Sequence, residues 1–510
     1  MRTLLFWGVL LLASVPALGQ CPDGTPPPCG PRLAARTAPA SNSVAVLYFD
    51  NVSQDTTEAY LADGLTISLI DRLAAAGLPV ASRFQVRRYR RAEGLDPMVV
   101  SRALAVAHLL SGSVHRTGNR VRISVELIRA PSGVRVWGRQ FDRPADDLLA
   151  IEADIATTVA DSITGRLPPA QRAALARSPT ISPRAYEHLL RGNYLMNAIS
   201  VRNQEGAIAE YEAALRLDPS ATVPHARLAH AWAICIDRSL ACRRLPRDSA
   251  TALGERLARE AIRLDSTMAD AWVAYAVLLY GASSPRLSEA LRAAQRAVAL
   301  DPQNPAALTA LGGLQVYSRN DSAGEATLSR AILLDPSNAV ALGRLQPIAM
   351  SRRRLPEAMA LADSSIAAGS EHALAFGNRA FLRGHLGDTA GTRADAENYA
   401  RLLGRPPVYV EAFVLMAKVA AGDTTNPAAI EAFVERLVRD PAWAAAGPMA
   451  IHLPAWILGR LGRVDAAVRA LPKPSYMSWS VSRYPHFDAI RNDPGFQRWV
   501  ESARAMWMER

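Results

Sequence analysis

Lysine is almost missing from this chain of 510 residues. Of its 58 basic residues only Lys418 and Lys473 are lysine, and all the others are arginine. The formal charge is +11. The arginines run along the whole length, whereas a nucleic-acid footprint clusters on one face or one element. No nucleic-acid partner is expected, and the charge serves solubility and loose attraction to anionic surfaces. A P-loop needs Gly-Lys-Ser/Thr, and neither lysine follows a glycine. A protein kinase needs a strand lysine and a catalytic-loop aspartate, but His115-Arg116 continues with Thr117. Neither H-E-x-x-H nor G-x-S-x-G occurs, and the nine histidines are scattered. No catalytic residue, cofactor or metal site is expected. Aromatic residues make up 6% of the chain while alanine is abundant, a mixture that favours closely packed helices over β-sandwiches.

Long hydrophobic runs are also missing past the start. Leu4 to Leu18 is apolar but short of the about 20 residues a spanning helix needs. It has the size of a signal-peptide core, with Ala17 and Gly19 before a cut after Gly19. The expectation is a signal peptide over 1–19 and a periplasmic or secreted chain; a retained membrane anchor facing the periplasm and lipidation at Cys21 are the alternatives. Membrane contact is expected only through this segment. Cysteine is scarce too. In an oxidising compartment an even count reads as disulfides, and the four form two close pairs, Cys21 with Cys29 and Cys235 with Cys242.

Residues 20–42 read as a Pro-rich linker. Ser43–Phe49 (SVAVLYF) is an apolar, β-rich run and reads as a buried strand. The pattern then predicts a helix over about 57–76, a short strand over 78–82, a helix over 97–107, strands over 108–116, 120–129 and 134–142, and a helix over 147–167. Gly118 and Gly133 mark the turns between the last three strands. This is a compact α/β domain over 43–167.

The same stretch resembles the TolB-N-terminal-like domain, a module related to CsgG and FlgO. Tyr60, Ala62, Asp63, Gly64 and Leu65 match its aromatic-x-A-D-G-L segment, and Gly112, Ser113 and Val114 match its G-S-V strand. Trp137, Phe141 and Asp142 match the strand that closes the sheet. The resemblance implies a domain that precedes tetratricopeptide repeats in many bacterial chains, often joined to a kinase, a cyclase or a winged-helix regulator. It assigns no chemistry to these residues. Asp63 reads as a turn or helix cap, and Trp137 as a packing residue.

From about residue 183 the chain repeats. LRLDPS, IRLDST, VALDPQ and ILLDPS place aspartates at 218, 265, 301 and 335, spaced 47, 36 and 34. A period near 34 means stacked helix pairs of the tetratricopeptide type. About seven units are expected over 183–472, with a capping segment over 473–510 whose Phe487, Ile490, Phe496, Trp499 and Val500 cover the last pair. The long first spacing places Cys235 and Cys242 in an insertion between two helices of one unit.

The fold class is thus an α/β N-terminal domain plus an all-α tetratricopeptide-repeat solenoid. Such arrays offer a groove made by the first helix of each pair. Asp270, Val273, Val277, Tyr280, Thr309 and Val316 are the candidates for it. The competing reading is that they pack within the superhelix or against another domain. Arg83, Arg87, Arg88, Arg90 and Arg91 form a basic stretch that could meet phosphate or lipid headgroups, or be a solvated loop. The functional expectation is an exported, non-catalytic adaptor with protein or peptide partners. A sensory or regulatory component lacking its output domain is the alternative, and an enzyme with an unrecognised site is another.

Overall fold

The computed structural model describes residues 40–53, 55, 58–87, 89–90, 96–130, 132–165, 167–176, 181–196, 201–237, 245–281, 286–318, 320–368, 373–440, 443, 450–474 and 482–508. The signal segment, the linker up to residue 39, and Cys21, Cys29, Cys242, Arg88 and Arg91 lie outside them.

The N-terminal part alternates strand and helix: β1 (Val44–Val46), β2 (Asp50–Asn51), α1 (Ala59–Ala75), α2 (Arg83–Arg87), α3 (Pro97–Leu104), β3 (His108–Thr117), β4 (Arg120–Arg129), β5 (Val134–Pro144), α4 (Leu148–Thr164) and α5 (Pro169–Ala176). The sheet runs β1-β3-β4-β5, with β2 also paired to β3. β1 and β2 are parallel to β3, and β3–β4–β5 is an antiparallel meander. Its turns need a left-handed backbone, which glycine adopts without Cβ strain; Gly118 sits at φ +57° and Gly133 at φ +65°. Val121, Ile123, Val125 and Leu127 of β4 are buried, while Arg120 and Arg122 are exposed, so one face is dry and one wet. Residues 78–82 do not form the expected strand. They make one isolated bridge, Val80 to Val44, and the chain turns into α2.

Helix pairs follow: α6 (Pro183–Leu195) with α7 (Val201–Leu217), α8 (Thr222–Asp237) with α9 (Arg247–Leu264), α10 (Ala269–Gly281) with α11 (Leu287–Leu300), α12 (Pro305–Tyr317) with α13 (Asp321–Leu334), α14 (Ala339–Ser351) with α15 (Leu355–Ala368), and α16 (Ala373–His385) with α17 (Thr389–Leu403). Then come α18 (Val408–Ala420), α19 (Pro427–Arg439), α20 (Leu453–Arg460) and α21 (Val464–Arg469), and finally α22 (Pro494–Met508). Here the packing is less regular: α18 lies against α16, α17 and α20, and α19 against α20.

The repeated aspartate explains the period. Asp265, Asp301 and Asp335 each close a second helix by donating the backbone N–H to a carbonyl four residues back. Their side chains then accept the backbone N–H two residues on, from Thr267 at 2.8 Å, Gln303 at 3.2 Å and Ser337 at 3.1 Å. This local turn competes with helix, so the chain bends at each one. Proline is not the common element, since Asp265 is followed by Ser266 and turns in the same way. Asn304 and Asn338 then cap the next first helices.

The core is continuous across the expected domain boundary. One cluster of buried side chains runs from Val44 in β1 through α1, α4 and α6 to Leu314 in α12. A smaller cluster links α12 to α14, and a third runs from Ala349 to Trp499. Phe487, Ile490, Phe496 and Trp499 are all buried in the third. Among the described residues no helix is long and apolar enough to cross a membrane.

Candidate binding surface

The six groove candidates lie on α10 and α12, both first helices of their pairs. Their side chains are spent on neighbours. Asp270 accepts Arg227 Nη1 from α8 at 3.1 Å and Asn304 Nδ2 at 3.3 Å. Arg227 Nη2 reaches back to Asp71 of α1 at 2.5 Å. Partial burial works against the charged form of Asp270, but the Arg227 and Arg83 charges outweigh it and hold that carboxyl below the usual carboxylate range. Tyr280 is buried against Tyr317, ring centroids 5.3 Å apart, and its hydroxyl accepts Arg344 Nη2 at 3.1 Å. Thr309 Oγ1 donates to the Pro305 carbonyl at 2.6 Å and accepts Asn338 Nδ2 at 2.9 Å. Val273 is buried and Val277 half-buried. Val316 is half-buried. It packs against Gly324 of α13, where a Cβ would come within 2.6 Å of its Cγ2. Asp270 thus ties α10 to α8, and Tyr280 and Thr309 tie α10 and α12 to α14.

The α/β domain covers the first units through two polar ties. In the inner tie, Glu152 of α4 is fully buried and accepts Arg72 Nε at 2.7 Å, Ser68 Oγ at 2.8 Å and the Tyr186 hydroxyl. These partners come from α1 and α6. Arg72 Nη1 also donates to the Leu175 carbonyl at 2.8 Å. Burial, with the Glu152 charge beside it, pushes the Tyr186 hydroxyl well up. In the outer tie, Glu187 accepts the Tyr60 hydroxyl at 2.5 Å, Arg116 Nη1 at 2.8 Å and Arg191 Nη2 at 2.7 Å. A shallow cleft lies beside it, lined by Arg116, Asn119, Asp146, Arg184 and Glu187.

Gly64 sets how closely these layers meet. A Cβ there would sit 2.8 Å from Leu190 Cβ of α6. Asp63 does not cap a helix. It lies inside α1, buried, and pairs with Arg90. Gly112 is similarly constrained, since a Cβ would meet the Ser124 carbonyl at 2.5 Å and the Phe49 ring at 2.7 Å. Trp137 is partly buried against the first core. Asp142 bridges Arg120 and Arg122 across the wet face.

The basic stretch is largely engaged with the protein itself. Arg87 Nη2 donates to the Ala368 carbonyl at the end of α15, at 3.0 Å. Arg90, besides Asp63, lies over the rings of Tyr48 and Tyr194 at 5.5 and 5.4 Å. Neither the solvated loop nor a free headgroup patch describes these two arginines.

Sequence reasoning missed Arg227 and Glu152, because a buried ionic pair between remote helices leaves no periodic trace. It also passed over His385 and His486. His486 is buried and His385 half-buried where the C-terminal segment returns over the array.

No family model matches the chain. A protein of Rhizobium meliloti (strain 1021) named "Putative adenylate cyclase 3" is 31% identical over 204 residues, which is 39% of this chain and 34% of that protein. The chain thus spans about a third of the length of the curated relative it matches. Among solved structures, a thermophilic TPR protein of Thermus thermophilus superposes with a TM-score of 0.30 at 16% identity, covering 36% of this chain and 90% of that one. PilF of Pseudomonas aeruginosa superposes with a TM-score of 0.32 at 19% identity, covering 45% and 96%. Superpositions this partial carry no further argument, and the helix-pair architecture rests on this chain's own packing.

Proposed function

We propose that the chain is a non-catalytic adaptor of the cell envelope, with the helix array and the α/β domain presenting one joint surface to protein partners. The supporting observation is the unbroken core from β1 to α12 with its two polar ties. Such a joint fixes relative geometry, as a scaffold requires. The N-terminal domain is read as TolB-like, on the residues already quoted. Export is read from the apolar start and the paired cysteines. Cys235 is buried at the end of α8, next to the α8–α9 insertion that carries Cys242, which supports pairing of the two in an oxidising compartment.

A second reading is a regulatory part of a signalling system, favoured by the 31% identity to a third of a cyclase-named protein. Two measurements separate these from catalysis. Cross-linking in intact cells, followed by purification of the full chain, should return a defined envelope partner that also binds the purified chain. Purified chain incubated with ATP and divalent cation should form no cyclic nucleotide. Turnover there would overturn both readings, and a chain recovered from the cytoplasm with residues 1–19 attached would overturn export.

A further inference from the structure

The segment after the array does more than cap it. Residues 482–491 run back over the ends of earlier first helices. Arg483 Nη1 pairs with Asp321, the first residue of α13, at 2.7 Å. Arg353, just past α14, holds Asp488 through two contacts of 2.7 and 2.8 Å. His486 stacks on Phe381 of α16 at 3.9 Å between ring centroids, and lies 4.4 Å from His385, the last residue of that helix. Trp456 of α20 closes the site at 6.3 Å from His486, and the Tyr484 ring at 6.2 Å. Tyr484, His486 and Phe487 are 3%, 3% and 1% exposed. One short strap thus laces the turns of four units.

The strap is internally stiff. Arg491 donates to the carbonyls of Ser482 at 3.0 Å and Tyr484 at 2.8 Å, and also pairs with Asp488. Its seat has no place for added positive charge. The charged groups facing His385 are Arg460 at the end of α20, Arg353 after α14, and Asp488 of the strap itself, whereas the titratable group facing His486 is His385. Asp488 is already shared between Arg353 and Arg491. Two cations and a shared carboxylate thus surround His385, whose ring lies tilted against that of His486.

We infer that residues 482–491 form an acid-released strap, seated across the helix pairs while His385 and His486 are neutral and freed when both take up protons. Burial holds both histidines below their ordinary value, helped at His385 by the Arg460 and Arg353 charges and at His486 by a charge on His385. The sign follows. A free imidazole titrates near about 6.5, so the open strap binds protons below that pH which the seated strap refuses. Seating is complete above about 6.5 and weakens as pH falls below it. Release would uncover Phe381 and the face of Trp456.

Hydrogen exchange on the full chain, corrected for intrinsic rates, tests this on peptides covering 482–491. Between pH 7.5 and 5.5 uptake of two protons should raise the opening constant, by up to about 100-fold where the seated strap takes up neither. H486F should cut that ratio to about 10-fold at most, and H385F with H486F should abolish it. R491Q should raise opening at both pH values and leave the ratio unchanged. A ratio near 1 in the unaltered chain would overturn the inference. So would an undiminished ratio in the double variant, or an equal rise in peptides from α8 to α12.

Discussion

At the scale of single residues, the arginine bias acquires a structural use. Arginine offers several donors in a rigid fork and keeps its charge when buried. Arg72, Arg227 and Arg116 each span two or more elements with it. Replacing Glu152 by glutamine strands the Arg72 guanidinium, whose side chain is 8% exposed. Breaking one partner of such a buried pair costs about 3–5 kcal/mol, and urea unfolding of Glu152→Gln should show a loss of that order. Gly64→Val forces α1 away from Leu190 and should cost about 1–3 kcal/mol by the same measurement, as overpacking does. Gly64 and Asp63 were legible as a matched motif, but their roles were not. A glycine needed for close helix approach and one needed for a turn look the same until the partner helix is in place.

At the scale of elements, period and alternation carried most of the reading. The three-strand meander and α1 fall within a few residues of expectation, because alternation in β4 and the glycine turns are local signals. The strand expected at 78–82 did not form. Its residues are apolar enough, but only Val80 bridges β1, and the chain must leave the sheet to start α2. The repeat was visible from its aspartates, but the proline after Asp218, Asp301 and Asp335 masks which residue makes the turn. Asp301→Ala should therefore lose the turn's side-chain hydrogen bond, worth about 1 kcal/mol. Pro302→Ala should lose less. Equal losses in paired urea titrations would return the turn to proline.

At the scale of the whole molecule, the sequence suggested two bodies joined by a boundary near residue 167, and the structure has one core across it. That fusion was hidden because the joining groups lie far apart in the chain: Glu152 meets Tyr186 and Arg72, Asp71 meets Arg227, and Arg87 meets Ala368. Of the groove candidates, Asp270 is engaged through this fusion, and Tyr280 and Thr309 through the following units of the array. A partner is then expected to read the outer surface of the joined unit rather than a vacant channel along the first helices. Native-state hydrogen exchange across low denaturant tests this most directly. Peptides from β3, β4, α1 and α4 should open with the same free energy and the same denaturant dependence as those from α6 to α12, and Glu152→Gln should lower both sets together. An α/β domain that stays protected while α6 to α12 exchange freely, or that is untouched by loss of the Glu152 charge, would contradict the fused unit.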